Sequence, residues 1–133
     1  PWDRLEPYGH ADGMVRYIGN DKVLITNYYD FDKGLRKKLL DALQPHFEVV
    51  ELHYDTPRPH KWNWAYINYL LTDGKLFLPR LNVPEDEQAC AQIGSALGIP
   101  REHIELVDIT GVLRNGGGLN CISWNVSLYD SIL

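Results

Sequence analysis

The chain has 133 residues, the length of one ordinary domain and enough to bury an apolar core without disulfide staples. Hydrophobic residues make up 44% and charged residues 23%, which excludes a disordered chain, and a net charge of -5 excludes a broad basic face for nucleic acid. Cys90 and Cys121 are too few for a disulfide framework, and no apolar run is long enough to span a membrane.

The chain starts at Pro1-Trp2-Asp3 with no initiator methionine and no signal-peptide pattern, so we expect an excerpt of a longer, cytoplasmic protein. Met14 to Ile18 reads as a strand, Gly19-Asn20-Asp21 as a turn, and Lys22 to Thr26 as the second strand of a hairpin. Phe31, Leu35, Leu39 and Leu43 lie four apart, which predicts a helix that Pro45 stops. Phe47 to Leu52 is the next strand. Tyr66 to Leu71 reads as a strand again, Asp73-Gly74 as a strong turn pair, and Lys75 to Leu78 as the partner. Pro84 opens a second helix, with Glu85, Asp86 and Glu87 in its first turn and Cys90, Ile93 and Leu97 on its apolar face; Gly98 ends it. Ile104 to Val107 is the closing strand.

The order strand-strand-helix-strand therefore occurs twice. Met14 aligns with Ile67, Lys22 with Lys75 and Val49 with Ile104, 53 to 55 positions apart. We expect repeated units at about 14–52 and 66–107 and the start of a further unit at 119–133, with Leu119 to Trp124 as its first strand. Modules of this kind leave an apolar face that further modules or a second copy of the chain would cover.

Chemistry-bearing residues sit at the two ends. Cys121 closes the run Asn115-Gly116-Gly117-Gly118-Leu119-Asn120-Cys121. Glycines before a thiol let the backbone approach a ligand or take up positive φ, and their N–H groups can position a substrate. Equally, free cysteines are commonly buried and a triple glycine can be a plain loop. His10 and Asp12 in Gly9-His10-Ala11-Asp12-Gly13 share a face if the segment is extended, one to move protons and one to hold a cation; flanked by glycines, they also read as a turn. Cys90 reads as a small buried hydrophobe. His46, His53, His60 and His103 read as surface or structural residues. Trp62 and Trp64 alternate, so both rings should point the same way, walling a substrate entrance or covering a module interface. No clustered ligands suggest a metal, and no cofactor is expected. Asn125-Val126-Ser127 is formally a glycosylation sequon.

Three stretches carry a family resemblance. Gly9-His10-Ala11-Asp12-Gly13-Met14-Val15-Arg16-Tyr17 resembles a Gly-His-x-Asp-x-x-x-Arg-Phe stretch. Tyr66-Ile67-Asn68-Tyr69 with Asp73-Gly74 and Leu78-Pro79 resembles a mid-chain hairpin, and Gly116 to Ser123 resembles a Gly-Gly-Gly-x-His-Cys-x-Thr block. They are similar, in that order, to motifs of the guanidino-group-modifying superfamily, in particular the agmatine deiminase and Porphyromonas-type peptidylarginine deiminase branch. The resemblance implies an α+β fold of ββαβ modules, part of a five-module α/β propeller (pentein). It implies hydrolysis of a guanidino group of agmatine or an arginine-type substrate, chemistry that feeds polyamine biosynthesis, to a ureido product and ammonia. By position it makes Cys121 the nucleophile, His10 the general acid/base and Asp12 a guanidinium ligand; Gly117, Gly118 and Trp64 would also line the substrate.

In two places the chain departs from that pattern. Asn120 stands where the family has histidine. The family's second carboxylate comes from an earlier module; Asp3 and Glu6 are acids within reach in sequence, but nothing in their context assigns them that role. The chain by itself is therefore expected to be weak or inactive. The alternatives are a fragment that binds a guanidino ligand or a partner without turnover, and amidino transfer to an amine.

Overall fold

The computed structural model describes residues 10–126; Trp2, Asp3, Glu6 and Ser127 lie outside the described residues, as does the end of the expected third unit. Strands β1 (Val15–Gly19) and β2 (Lys22–Ile25) form an antiparallel hairpin. The short helix α1 (Tyr28–Phe31) and α2 (Lys33–Leu43) then cross over, and β3 (Glu48–Glu51) returns parallel to β2. The order repeats with β4 (Leu70–Thr72), β5 (Lys75–Arg80), α3 (Glu85–Leu97) and β6 (Ile104–Asp108), followed by α4 (Thr110–Leu113). The result is two three-stranded mixed sheets, β1-β2-β3 and β4-β5-β6. This is the expected α+β arrangement of two ββαβ modules, and the described residues do not close a barrel.

The strand registers align the two modules residue by residue. Val23 pairs with Val49, and Leu76 pairs with Ile104 in the same way. The first strands slip by one residue: Tyr17 faces Val23, whereas Leu71 faces Leu76. The cause is an extra residue bulged out between Tyr17 and Gly19, which the second hairpin lacks. The matching of Met14 with Ile67 is therefore one position out. The first hairpin turns on Asn20 (φ 51°) and Asp21 (φ 55°), the two positive φ values that a tight two-residue turn needs.

Three expected elements differ. Phe31 does not open the long helix: the Asp32 carboxylate accepts from Leu35 N at 2.8 Å and starts α2 at Lys33, leaving Phe31 45% exposed. Residues 66–71 are not one strand. A 3-10 turn, Asn63–Ile67, comes first, and β4 begins only at Leu70, because the carbonyls of Ile67 and Tyr69 are taken by the Arg16 side chain rather than by a sheet partner. Leu119 to Trp124 is a turn followed by irregular chain, with Leu119 buried and Trp124 exposed.

The larger core is shared by both modules. Leu24, Leu52 and Tyr54 from the first pack with Ile67, Leu76, Leu78, Cys90 and Ile93 from the second, and Leu119 beyond it joins them. A smaller cluster of Met14, Tyr28, Leu35 and Leu39 lies under α2. The chain just past β3 is also fastened to α3 by two glutamines four residues apart. Gln92 accepts from His53 N at 3.0 Å and donates to His53 O at 2.6 Å. Gln88 accepts from Asp55 N at 2.8 Å and donates to Asp55 O at 3.4 Å. Side-chain amides thus complete an extended segment as a neighbouring strand would.

Asp86 anchors the second module. Buried in the first turn of α3, it accepts from Tyr66 Oη at 2.7 Å, Leu81 N at 2.8 Å and Val83 N at 3.1 Å. Burial, then the Asp86 hydrogen bond, push the Tyr66 hydroxyl far above its usual pKa, so it stays a donor. Asp86→Ala strands three donors and is expected to cost about 3 kcal/mol, read as a lower urea midpoint at unchanged slope.

Candidate active site

The triple-glycine segment reaches the first module through α4. Gly116 takes φ 81° and its N–H donates to Leu113 O at 3.0 Å, which turns the chain back sharply. Leu119 plugs into the core and Cys121 stays exposed. Gly117 lies against the nucleophile candidate: a Cβ there would sit 3.3 Å from Cys121 Cβ.

At the other end, Ala11–Gly13 is a single 3-10 turn with His10 at its N-cap position, rather than an extended segment. A common face for His10 and Asp12 therefore does not follow from their spacing. The turn packs on the 3-10 turn at Asn63–Ile67, with Gly13 so close to Trp64 that a Cβ would lie 3.2 Å from Trp64 Cε3. The two tryptophans do not act as a pair. Trp64 braces the His10–Gly13 turn, while Trp62 lies beside His60, ring centroids 5.6 Å apart, with Lys61 Nζ 4.8 Å from its ring. His10 is exposed at the mouth of this turn.

The two ends meet. Cys121 Sγ lies 3.4 Å from Asp12 Oδ2 across 109 residues of sequence. Between them is Asn68, fully buried, whose Nδ2 donates to the same Asp12 oxygen at 2.8 Å. Cys121 N donates to Asn68 Oδ1 at 3.4 Å, and Asn120 N to Asn68 O at 3.1 Å. Gly118 touches Asn68 so tightly that a Cβ would fall 2.5 Å from its Oδ1. Behind Asn68, Arg16 Nη1 donates to Ile67 O at 3.1 Å and Tyr69 O at 2.6 Å, its guanidinium 3.8 Å from the Tyr69 ring centroid. Burial lowers the Arg16 pKa, and Tyr69 and Asp12 push it back up.

Sequence reasoning placed His10, Asp12, Trp64, Gly117, Gly118 and Cys121 in one site; Asp12, Gly117, Gly118 and Cys121 are brought together, Trp64 lies one layer behind, and His10 is exposed two residues before Asp12. It assigned no part to Asn68 or Arg16. One signal was available: position 68 is polar where the first module has the apolar Met14 and Val15. The groove beside the start of α3, lined by Arg80, Asn82, Glu87 and Arg101, includes none of the Cys121-site residues. Among the described residues no group of three or more His, Cys, Asp or Glu could hold a metal ion, and no helix is long and apolar enough to cross a membrane.

The two thiols contrast. Cys90 is buried on α3, and burial first of all pushes its pKa up, against a smaller lowering by Arg101. Cys121 is exposed. A thiol-specific reagent at neutral pH is expected to titrate one cysteine in the native protein and two in guanidinium chloride. Two fast thiols in the native state would contradict this packing.

Comparison with known proteins places this geometry. The chain shares its fold with the agmatine deiminase of C. jejuni (TM-score 0.65, 22% identity, covering 85% of this chain and 37% of that one). It also shares it with the agmatine deiminase of Enterococcus faecalis (TM-score 0.69, 18% identity, 90% and 41%). An amidinotransferase from Microseira wollei is more distant, with TM-score 0.55, 13% identity, and coverage of 89% of this chain and 31% of that one. The chain thus spans roughly two fifths of the deiminases' length; at these identities the likeness is one of fold. No curated protein matches it. The Porphyromonas-type peptidyl-arginine deiminase family matches residues 3–126, a span that takes in both modules, the His10–Gly13 turn and the Cys121 loop, and the chain belongs to that family.

Proposed function

We propose that this chain carries the nucleophile side of an enzyme that hydrolyses the guanidino group of agmatine or an arginine-type substrate. The observation that supports it best is the approach of Cys121 Sγ to within 3.4 Å of Asp12 Oδ2 at an exposed site. A thiol beside a carboxylate suits a flat cation: the carboxylate accepts from the planar N–H fork and holds the central carbon beside the sulfur.

The guanidinium carbon is stabilised by resonance, so the site must favour the tetrahedral state in which that resonance is broken. Cys121 attacks as the thiolate, which the bound cation favours by Coulomb attraction. A C–N bond breaks, His10 gives its proton to the leaving ammonia, and an amidino-thioether remains. Water, giving a proton to His10, attacks the same carbon and expels the thiolate. Guanidinium and water become a ureido product and ammonium. Gly117 keeps the space beside the thiol free of a side chain, and Gly118 leaves room for Asn68 behind it.

Agmatine, free arginine and an arginine-containing peptide, each offered to the intact protein, test this reading through ammonia release and identification of the product. We expect a ureido product from at least one. No ammonia from any of them would overturn it. A product amidine on an added amine would instead favour amidino transfer, which shares the covalent intermediate and which a protein of the same fold carries out.

A further inference from the structure

We propose that Asn68 is the positioning residue of this site: its side-chain amide sets the thiol and the carboxylate against each other, and Arg16 fixes Asn68 from behind. The inference rests on reading Cys121 and Asp12 as the working pair.

Asn68 is fully buried, and its hydrogen-bonding groups reach the two ends of the chain. Nδ2 donates to Asp12 Oδ2 at 2.8 Å, Oδ1 accepts from Cys121 N at 3.4 Å, and the backbone carbonyl accepts from Asn120 N at 3.1 Å. The polarity of the amide is fixed by its neighbours, since a carboxylate can only accept and a backbone N–H can only donate. Few other side chains meet both demands. Aspartate would offer an acceptor to both and set two carboxylates together. Leucine has neither group, serine is too short, and glutamine adds a methylene where the tight contact with Gly118 leaves no room.

The mount of this amide is equally specific. One Arg16 nitrogen holds the carbonyls on both sides of Asn68, at 3.1 Å and 2.6 Å, while the guanidinium lies over the Tyr69 ring. Backbone on either side of Asn68 is thereby held, and the amide projects in one direction.

The consequence is a division of labour within Asp12. Oδ2 is taken by Asn68 Nδ2 and faces Cys121 Sγ at 3.4 Å. Oδ1 takes part in neither contact and is presented to the N–H groups of a flat cation. Asn68 therefore decides which oxygen meets the thiol and which meets the substrate.

The test compares two alkylating probes at Cys121 of the intact protein: 2-chloroacetamidine, a planar cation, and 2-chloroacetamide, its neutral counterpart with the same leaving group. The wild-type protein is expected to react preferentially with the cation. Asn68→Asp is expected to lower kcat/KM by about 100-fold, the scale of a misplacement near 1 Å, and to slow 2-chloroacetamide as well, since a second carboxylate beside the thiol disfavours the thiolate. Gly118→Ala is expected to lower both kcat/KM and the preference for the cation by a similar factor, with little change in the 2-chloroacetamide rate, since its methyl would displace the amide without removing it. Gly118 does not take positive φ, so alanine meets no backbone strain there. Should Asn68→Asp fail to fold, Gly118→Ala decides. Variants that keep the wild-type preference and kcat/KM would overturn the role of Asn68. A wild-type protein with no preference for the cation would overturn the guanidino reading itself, a separable result.

Discussion

Cys121→Ala in the intact protein is expected to lower ammonia release from the guanidino substrate by at least about 10⁴-fold, the scale of losing a covalent nucleophile. The loss should fall on kcat, because the remaining groups still hold the substrate. Asp12 keeps its hydrogen bond from Asn68, and removing the sulfur of an exposed residue opens no cavity in the core. Equilibrium binding of agmatine or arginine to the variant, measured by calorimetry, is therefore expected to stay within an order of magnitude of wild type. The variant should unfold at the wild-type temperature. Turnover that survives the substitution would mean that Cys121 sits near the chemistry without taking part in it.

Asp12→Asn is the second large effect, and it should differ in kind. The substitution keeps size and an acceptor oxygen but removes the negative charge. A carboxylate and a cation about 4 Å apart attract by about 4 kcal/mol at the effective dielectric of a protein surface. Screening at this open site takes a share of that. We expect kcat/KM to fall by about 100- to 1000-fold, with substrate binding weakened along with turnover. Raising ionic strength should weaken binding by the wild type more than by the variant. The preference of Cys121 for a cationic over a neutral alkylating agent should collapse at the same time. Equal salt sensitivity in the two proteins would remove Asp12 from the grip on the cation.

Much of the architecture was legible in the sequence because the same pattern is written twice. The turn pairs at Asn20-Asp21 and Asp73-Gly74, the four-residue apolar spacing of α2 and the acidic opening of α3 each carry a local physical signal. The Val23–Val49 and Leu76–Ile104 registers then fall into correspondence. The failures occur where a distant side chain competes for the backbone. Nothing local in Tyr66 to Leu71 shows that Arg16 will take the carbonyls of Ile67 and Tyr69. A period-two reading therefore extended the strand through Asn68 and paired Trp62 with Trp64 on one face.

The site was legible in its reactive groups and illegible in its supports. A thiol after three glycines and a carboxylate two residues from a histidine stand out by residue type. An asparagine between Ile67 and Tyr69 stands out far less, since its importance lies in the two partners it joins across 56 and 53 positions. Asn120 illustrates the reverse case. Its side chain departs from the family pattern, yet its backbone N–H docks on Asn68 O, a contact any non-proline residue could make.

The paired glutamines of α3 bear on where this chain can tolerate changes in length. One helical step of four residues advances about 6 Å, and two residues of extended chain advance about 6.6 Å. Gln88 and Gln92 can therefore engage Asp55 and His53 together only while both counts hold. One residue gained or lost between 88 and 92, or between 53 and 55, would put the rungs out of phase and change the angle at which one blade meets the next. Insertions should instead collect in the stretch from Pro57 to Lys61, where no such vernier operates.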